Sequence, residues 1–267
     1  MQDGVPQQLR QSDMLDPARA AACQAAFGWE GRVGEGDPLP AFFHQLYFWD
    51  VQPPEALGRD GHPKPGGIIP DMGLPRRMWA GGRMEFARPL RAGISAERVT
   101  VLECAERKAG RTGPLAFVTL RHEFRQQGVL CLTDWQRLVY REDPDPAAQR
   151  PVPPVARVDE DSRETRGFDS TLLFRYSALT FNGHRIHYDE AYARGVEGHD
   201  GLVVHGPILA QLLIRKAEAE IGRLRTFAFR ATAPVYLGET PEFCRKGRDL
   251  WVRGADGRLC MSAVAEV

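Results

Sequence analysis

Between Glu142 and Glu164 the chain reads EDPDPAAQRPVPPVARVDEDSRE, with five prolines and no apolar side chain larger than valine. Proline fixes φ and carries no backbone donor, so such a run belongs to neither a helix interior nor a central strand. A chain of 267 residues interrupted in this way cannot be one unbroken succession of core elements. The sequence therefore predicts a first domain over 1–142, an extended, solvated linker over 143–164, and a second domain over 165–267.

Each half reads as helical material followed by strands. In the first, Asp16-Pro17 ahead of ARAAACQAAF and Gly28 predicts a helix with Asp as N-cap and Pro at its first position. The aromatic run FFHQLYFWD (42–50) reads as a short buried helix and core. GRDGHPKPGGIIPDMG (58–73) reads as an irregular loop. Apolar and polar residues then alternate through 77–90, 98–107, 114–126 and 128–142, with turns at Gly110–Gly113 and Gln127-Gly128. Consecutive strands with short turns predict an antiparallel meander.

In the second half, Asp169-Ser170 caps a helix over 171–181, and 189–195 is compatible with a short helix. GPILAQLLIRKAEAEIG (206–222) carries an apolar stripe and ends on Gly222, which predicts a longer helix. Strands are expected at 226–237, 241–247, 249–257 and 258–267. The layout is α+β, with the last sheet curling around the long helix.

Bulk composition mainly excludes. Thirty-five basic residues balance thirty-five acidic ones, so no net field draws the chain to nucleic acid or an anionic membrane. No run approaches the ~18 apolar residues of a membrane-spanning helix, and the N-terminus has no signal-peptide pattern. Five scattered cysteines without a CxxC pair predict a reducing cytoplasm rather than a disulfide framework or zinc ribbon.

The chemistry-bearing residues concentrate in FNGHRIHYD (181–189) and GLVVHGPILA (201–210). A neutral imidazole serves as general base or acid near pH 7. A neighbouring amide holds water without adding charge. The N–H groups at the start of the long helix, around Gly206, are unpaired within the helix and sit at its positive end, where an oxyanion is stabilised. Base, water holder and oxyanion hole are the parts needed to add water across an α,β-unsaturated thioester. Bland readings stand beside this one. His184-x-x-His187 with Asp189 has the makings of a weak metal motif, His205 of a capping residue, and Asn182 of an ordinary turn residue.

FRYSALTFNGHRIHYD (174–189) with GLVVHGPILAQLL (201–213) resembles the MaoC-like, hydratase-2 branch of the hotdog superfamily. RMWAGGRMEFARPLRAG (77–93) gives weaker support. Within that branch the chain is most similar to the long two-hotdog type, which includes mitochondrial hydroxyacyl-thioester dehydratases and the mesaconyl-C4-CoA and itaconyl-CoA hydratases. The resemblance implies a double hotdog, two curved antiparallel sheets each wrapping a central helix, with a non-catalytic first half that shapes the acyl pocket. It implies a cofactor-free hydro-lyase acting on acyl-CoA or acyl-carrier-protein thioesters, compatible with a homodimer. The family's catalytic histidine maps onto His187 and its oxyanion-hole glycine onto Gly206. Its aspartate is replaced by Asn182, which cannot take a proton, so His187 carries proton transfer while Asn182 positions water.

Substrate contacts are expected from His184, Arg185, His205 and Arg83. Arg185 is the first candidate, and Arg83 the second, for a free carboxylate such as mesaconyl- or itaconyl-CoA carries. The alternatives are a hotdog thioesterase and a non-catalytic acyl-CoA-binding protein.

Overall fold

The computed structural model describes residues 8–110, 113–145 and 151–267. The chain forms two compact units that exchange short pieces. The first holds the chain up to Trp79, Met84–Asp143 and Arg175–His184. The second holds Ala80–Arg83, Pro144–Phe174 and Arg185–Val267. Among the described residues no helix is long and apolar enough to cross a membrane.

The first unit is built on β1 (Gln8–Asp13), α1 (Pro17–Phe27), β2 (Arg76–Phe86), β3 (Ala96–Gly110), β4 (Gly113–Gln126) and β5 (Val129–Arg141). β3, β4 and β5 form the expected antiparallel meander, flanked by β1 on β3 and by β2 on β5. β1 was not anticipated: its short polar run QLRQSD gives no apolar alternation to read. Burial along β4 alternates strictly, with Ala116, Val118, Leu120, His122 and Phe124 inward. Gln127 (φ 51°) and Gly128 (φ 77°) both take the left-handed conformation that a tight hairpin turn requires. Of the other predicted turn, Arg111 and Thr112 lie outside the described residues.

α1 starts as predicted, with Asp16 Oδ1 accepting from the Ala18 N–H at 2.8 Å, and ends on left-handed Gly28. The aromatic run supplies core, as expected: Phe42, Phe43, Leu46, Tyr47 and Phe48 are all buried. Its helix is only a single 3-10 turn, Phe43–Leu46, rather than a long central helix. Bulky aromatics bracketed by Pro38, Pro40, Pro53 and Pro54 are poor material for more. Phe43 stacks under Trp29 at 5.9 Å and Phe48 meets Phe124 at 5.4 Å, so this segment lies against the sheet through its rings.

The second unit carries β6 (Ser162–Thr165), α3 (Glu190–Gly195), α4 (Gly206–Ile221), β7 (Thr226–Ala231), β8 (Glu242–Lys246), β9 (Asp249–Arg253) and β10 (Leu259–Glu266). Strand order is β7-β10-β9-β8-β6, antiparallel throughout. α4 contacts β7, β8, β9 and β10, which makes it the central helix of this sheet. Its buried face includes Ile208, Leu209, Leu212, Leu213 and Ile214, each worth about 1.5–3 kcal/mol of burial. α2 (Ser170–Thr180), capped by Asp169 Oδ1 on the Leu172 N–H at 2.7 Å, begins in this unit and ends in the first.

The described part of the proline-rich segment is extended and keeps Val152, Val155 and Val158 exposed. Its backbone is nevertheless tied to the second unit's sheet. Ala156 N–H donates to Gly257 O at 2.9 Å, and Leu259 N–H donates to Pro154 O at 2.7 Å. Unpaired groups at the end of a sheet recruit any extended chain that lies nearby, and proline carbonyls still accept.

Candidate functional site

His187 closes the 3-10 turn Arg185–His187 and is buried. Its Nδ1 lies 2.7 Å from the carbonyl oxygen of Val203. A carbonyl only accepts, so Nδ1 carries the proton and Nε2 of the neutral ring carries the lone pair. Val203 is itself fixed by donating its N–H to Ile186 O at 2.9 Å and by bridging to Tyr236. The next residue, Val204, donates to Val235 O at 2.8 Å.

These contacts deliver the chain to the start of α4. His205, fully buried, stacks on His187 with ring centroids 3.6 Å apart and planes 18° from parallel. His205 occupies the N-cap position but makes no side-chain cap, so the capping role offered by the sequence is not the one it plays. Gly206 follows as the first helical residue, with Pro207 behind it. Its N–H is among those no carbonyl of the helix reaches, and it stands at the positive end of the dipole. The second unit thus brings His187, His205 and the Gly206 end of α4 together.

Arg185 lies in the same unit but is engaged locally. Its Nη2 is 2.7 Å from Asp189 Oδ2, and its guanidinium lies 4.2 Å over the Tyr192 ring. Asp189 also caps α3 through the Tyr192 N–H at 2.9 Å. That backbone bond first, and Arg185 second, hold the Asp189 carboxyl below the usual range. Arg83 is half-buried in β2, in the piece that belongs to the second unit.

Asn182 and His184 belong to the first unit. Asn182 Oδ1 accepts from the His184 N–H at 3.0 Å, a turn closed by side chain on backbone. This spends the carbonyl end of the amide and leaves its two Nδ2 donors to other uses. Just before it, Phe181 is left-handed (φ 52°) and stacks on Trp49 at 5.0 Å.

His184 is buried, with its ring 4.5 Å from that of His62. His62 Nδ1 is 3.1 Å from Asp60 Oδ2. Burial, and then the Arg77 charge, push the His62 imidazole down to about 4. Burial would raise Asp60, but its bonds to His62 outweigh that and hold the carboxyl at about 2. The two histidines of His184-x-x-His187 therefore keep different company, His62 for one and His205 for the other. The Asp60–His62–His184 group was not read from sequence. Its one local signal is the D-x-H spacing within the irregular 58–73 loop.

The family model for hydroxyacyl-thioester dehydratase type 2 matches residues 42–237. The mesaconyl-C(4)-CoA hydratase of Chloroflexus aurantiacus is 44% identical over 238 residues, covering 86% of this chain and 84% of that protein. The chain belongs to the hydroxyacyl-thioester dehydratase type 2 family. Among solved structures, a MaoC-like dehydratase matches with a TM-score of 0.71 at 16% identity, over 98% of this chain and 97% of the other. A Mycobacterium tuberculosis protein described as a double hotdog matches at 0.57 and 14% identity, over 97% and 94%. The double-hotdog fold implied by the sequence is therefore the fold of this family member. As such a member the chain is an enzyme, a hydro-lyase of acyl thioesters.

Proposed function

We propose that this protein adds or removes water across the Cα=Cβ bond of an acyl-CoA thioester carrying a branched dicarboxylic acyl group, of the mesaconyl-C4-CoA or itaconyl-CoA kind. The similarity to the Chloroflexus hydratase supports the substrate class. The observation that carries the mechanism is the His187 Nδ1 bond to Val203, which makes Nε2 the basic atom.

In hydration, the Gly206 N–H polarises the thioester carbonyl, and water held by the Asn182 amide attacks Cβ. His187 Nε2 takes the proton that water loses. The electron pair of the double bond moves to Cα and onto the carbonyl oxygen, beside the positive end of α4. The same imidazolium then protonates Cα and returns to its neutral form, so a single base suffices where the family's aspartate is absent. His205 backs the His187 ring and Arg83 contacts the acyl group, while His184, expected from the sequence to join them, faces His62 instead. Arg185 reaches a substrate carboxylate only by exchanging it for Asp189. The half before the proline-rich segment keeps a structural role, and a cytoplasmic setting accords with five free cysteines.

The test is to incubate the protein with crotonyl-CoA and with mesaconyl-C4-CoA, following the conjugated double bond and free thiol separately. Loss of the double bond with the thioester intact is the expected result. Release of CoA with the double bond untouched would replace this reading with a thioesterase, and binding without either change with a non-catalytic acyl-CoA-binding protein.

A further inference from the structure

We propose that Asp60, His62 and His184 form a binding site for one divalent transition-metal ion, zinc by preference, which fastens the 58–62 loop to the turn after α2. All three residues lie in the first unit. Each offers one donor atom, and the three atoms lie within 4.8 Å of one another. Metal–ligand bonds of about 2.0–2.2 Å place tetrahedral donors about 3.4 Å apart. Small side-chain rotations close the remaining gap.

Two histidine nitrogens and one carboxylate oxygen form a donor set that suits zinc, with a fourth position left for water.

The backbone brings these donors together independently of any ion. A Cβ built on Gly183 would lie 2.6 Å from Gly61 O, so the loop and the turn approach as closely as two glycines allow. His62 follows one of those glycines and His184 the other. Asp60 is orientated by accepting from both the His62 backbone N–H and the ring Nδ1, each at 3.1 Å. The opposing charge is Arg77, whose field already acts on His62 and Asp60. It weakens the attraction for a cation.

The experiment uses the full chain, stripped with a chelator and titrated with zinc chloride by calorimetry, with cobalt(II) as a spectroscopic probe. One equivalent should bind, and the cobalt spectrum should show ligand-field bands of nitrogen and oxygen donors without thiolate charge transfer. His62→Ala should weaken binding by at least ~10-fold. Asp60→Asn, which keeps the shape, should also weaken it. Circular dichroism must show both variants folded. Amide exchange in residues 58–62 should slow when zinc is added to the parent protein and not to His62→Ala. Failure to bind one equivalent, equal affinity in parent and variants, or a cobalt–thiolate band would each overturn the proposal. None of these readouts depends on hydratase turnover, so failure here is separable from failure of the proposed activity.

Discussion

His187 and Val203 are joined by one hydrogen bond of 2.7 Å, from a ring nitrogen to a backbone carbonyl. The acceptor belongs to a residue whose own N–H is bonded to Ile186, the neighbour of His187. The tautomer of the proposed base is therefore set through a main-chain acceptor.

His187→Ala is expected to lower kcat by roughly 10²- to 10⁴-fold, the usual weight of a general acid–base group. KM should change far less. Steady-state kinetics on the preferred enoyl-CoA checks this, and near-parental turnover would remove His187 from the mechanism.

Asn182→Asp should retain activity, because a carboxylate still accepts from the His184 N–H and still binds water. Asn182→Leu should lose most of it, since neither end of the amide survives. If the leucine variant turns over like the parent, the side chain holds no reacting water.

His122 gives a pH dependence of stability. Burial pushes its imidazole from 6.5 down to about 4 in the folded state. The unfolded chain binds that proton more readily, so stability is whole above pH 6.5 and falls as pH drops from there toward 4. The loss at pH 5 is about 2 kcal/mol from this group. Urea denaturation at pH 7 and pH 5 measures the total, and His122→Gln should shrink the difference, leaving the part due to the buried His62.

Gly81 has φ of 150°, and a Cβ there would collide with the Phe229 carbonyl oxygen in the second unit. Gly81→Ala should cost at least ~2 kcal/mol, combining a disfavoured backbone with a main-chain clash that has no flexible partner to yield. A thermal melt unchanged from the parent would contradict this.

Asp169→Ala removes the acceptor for the Leu172 N–H and should cost about 1 kcal/mol. Asp169→Asn, which retains an oxygen, should recover most of that in the same denaturation assay.

The parts of the fold legible in the sequence are those with a local physical code. Asp16-Pro17 and Gly28 marked both ends of α1, and strict alternation marked β4. The stripe from Ile208 to Ala217 marked the long central helix. β6 and the backbone ties of Pro154 and Ala156 were not legible, because their pairing partners lie some eighty to a hundred residues away. In the site, the pairing of His187 with the start of α4 was implied by the resemblance of the two motifs, and the stacking of His205 on His187 was implied by neither motif nor spacing. Arg185 looked available because its ion pair with Asp189 depends on a helical turn the spacing only permitted. Asp60 and His62 stayed hidden for the opposite reason: their partner, His184, is reached only through a close approach of two glycines.

The traded pieces bear on how such a chain can be cut. Residues 80–83 precede the proline-rich segment yet count with the second unit, while 175–184 follow it and count with the first. A gene divided at that segment would express two fragments, each missing a strip of its own unit. Neither fragment alone should give a cooperative melt, and mixing the two should restore one. Each unit is thus completed by residues from the far side of the proline-rich segment.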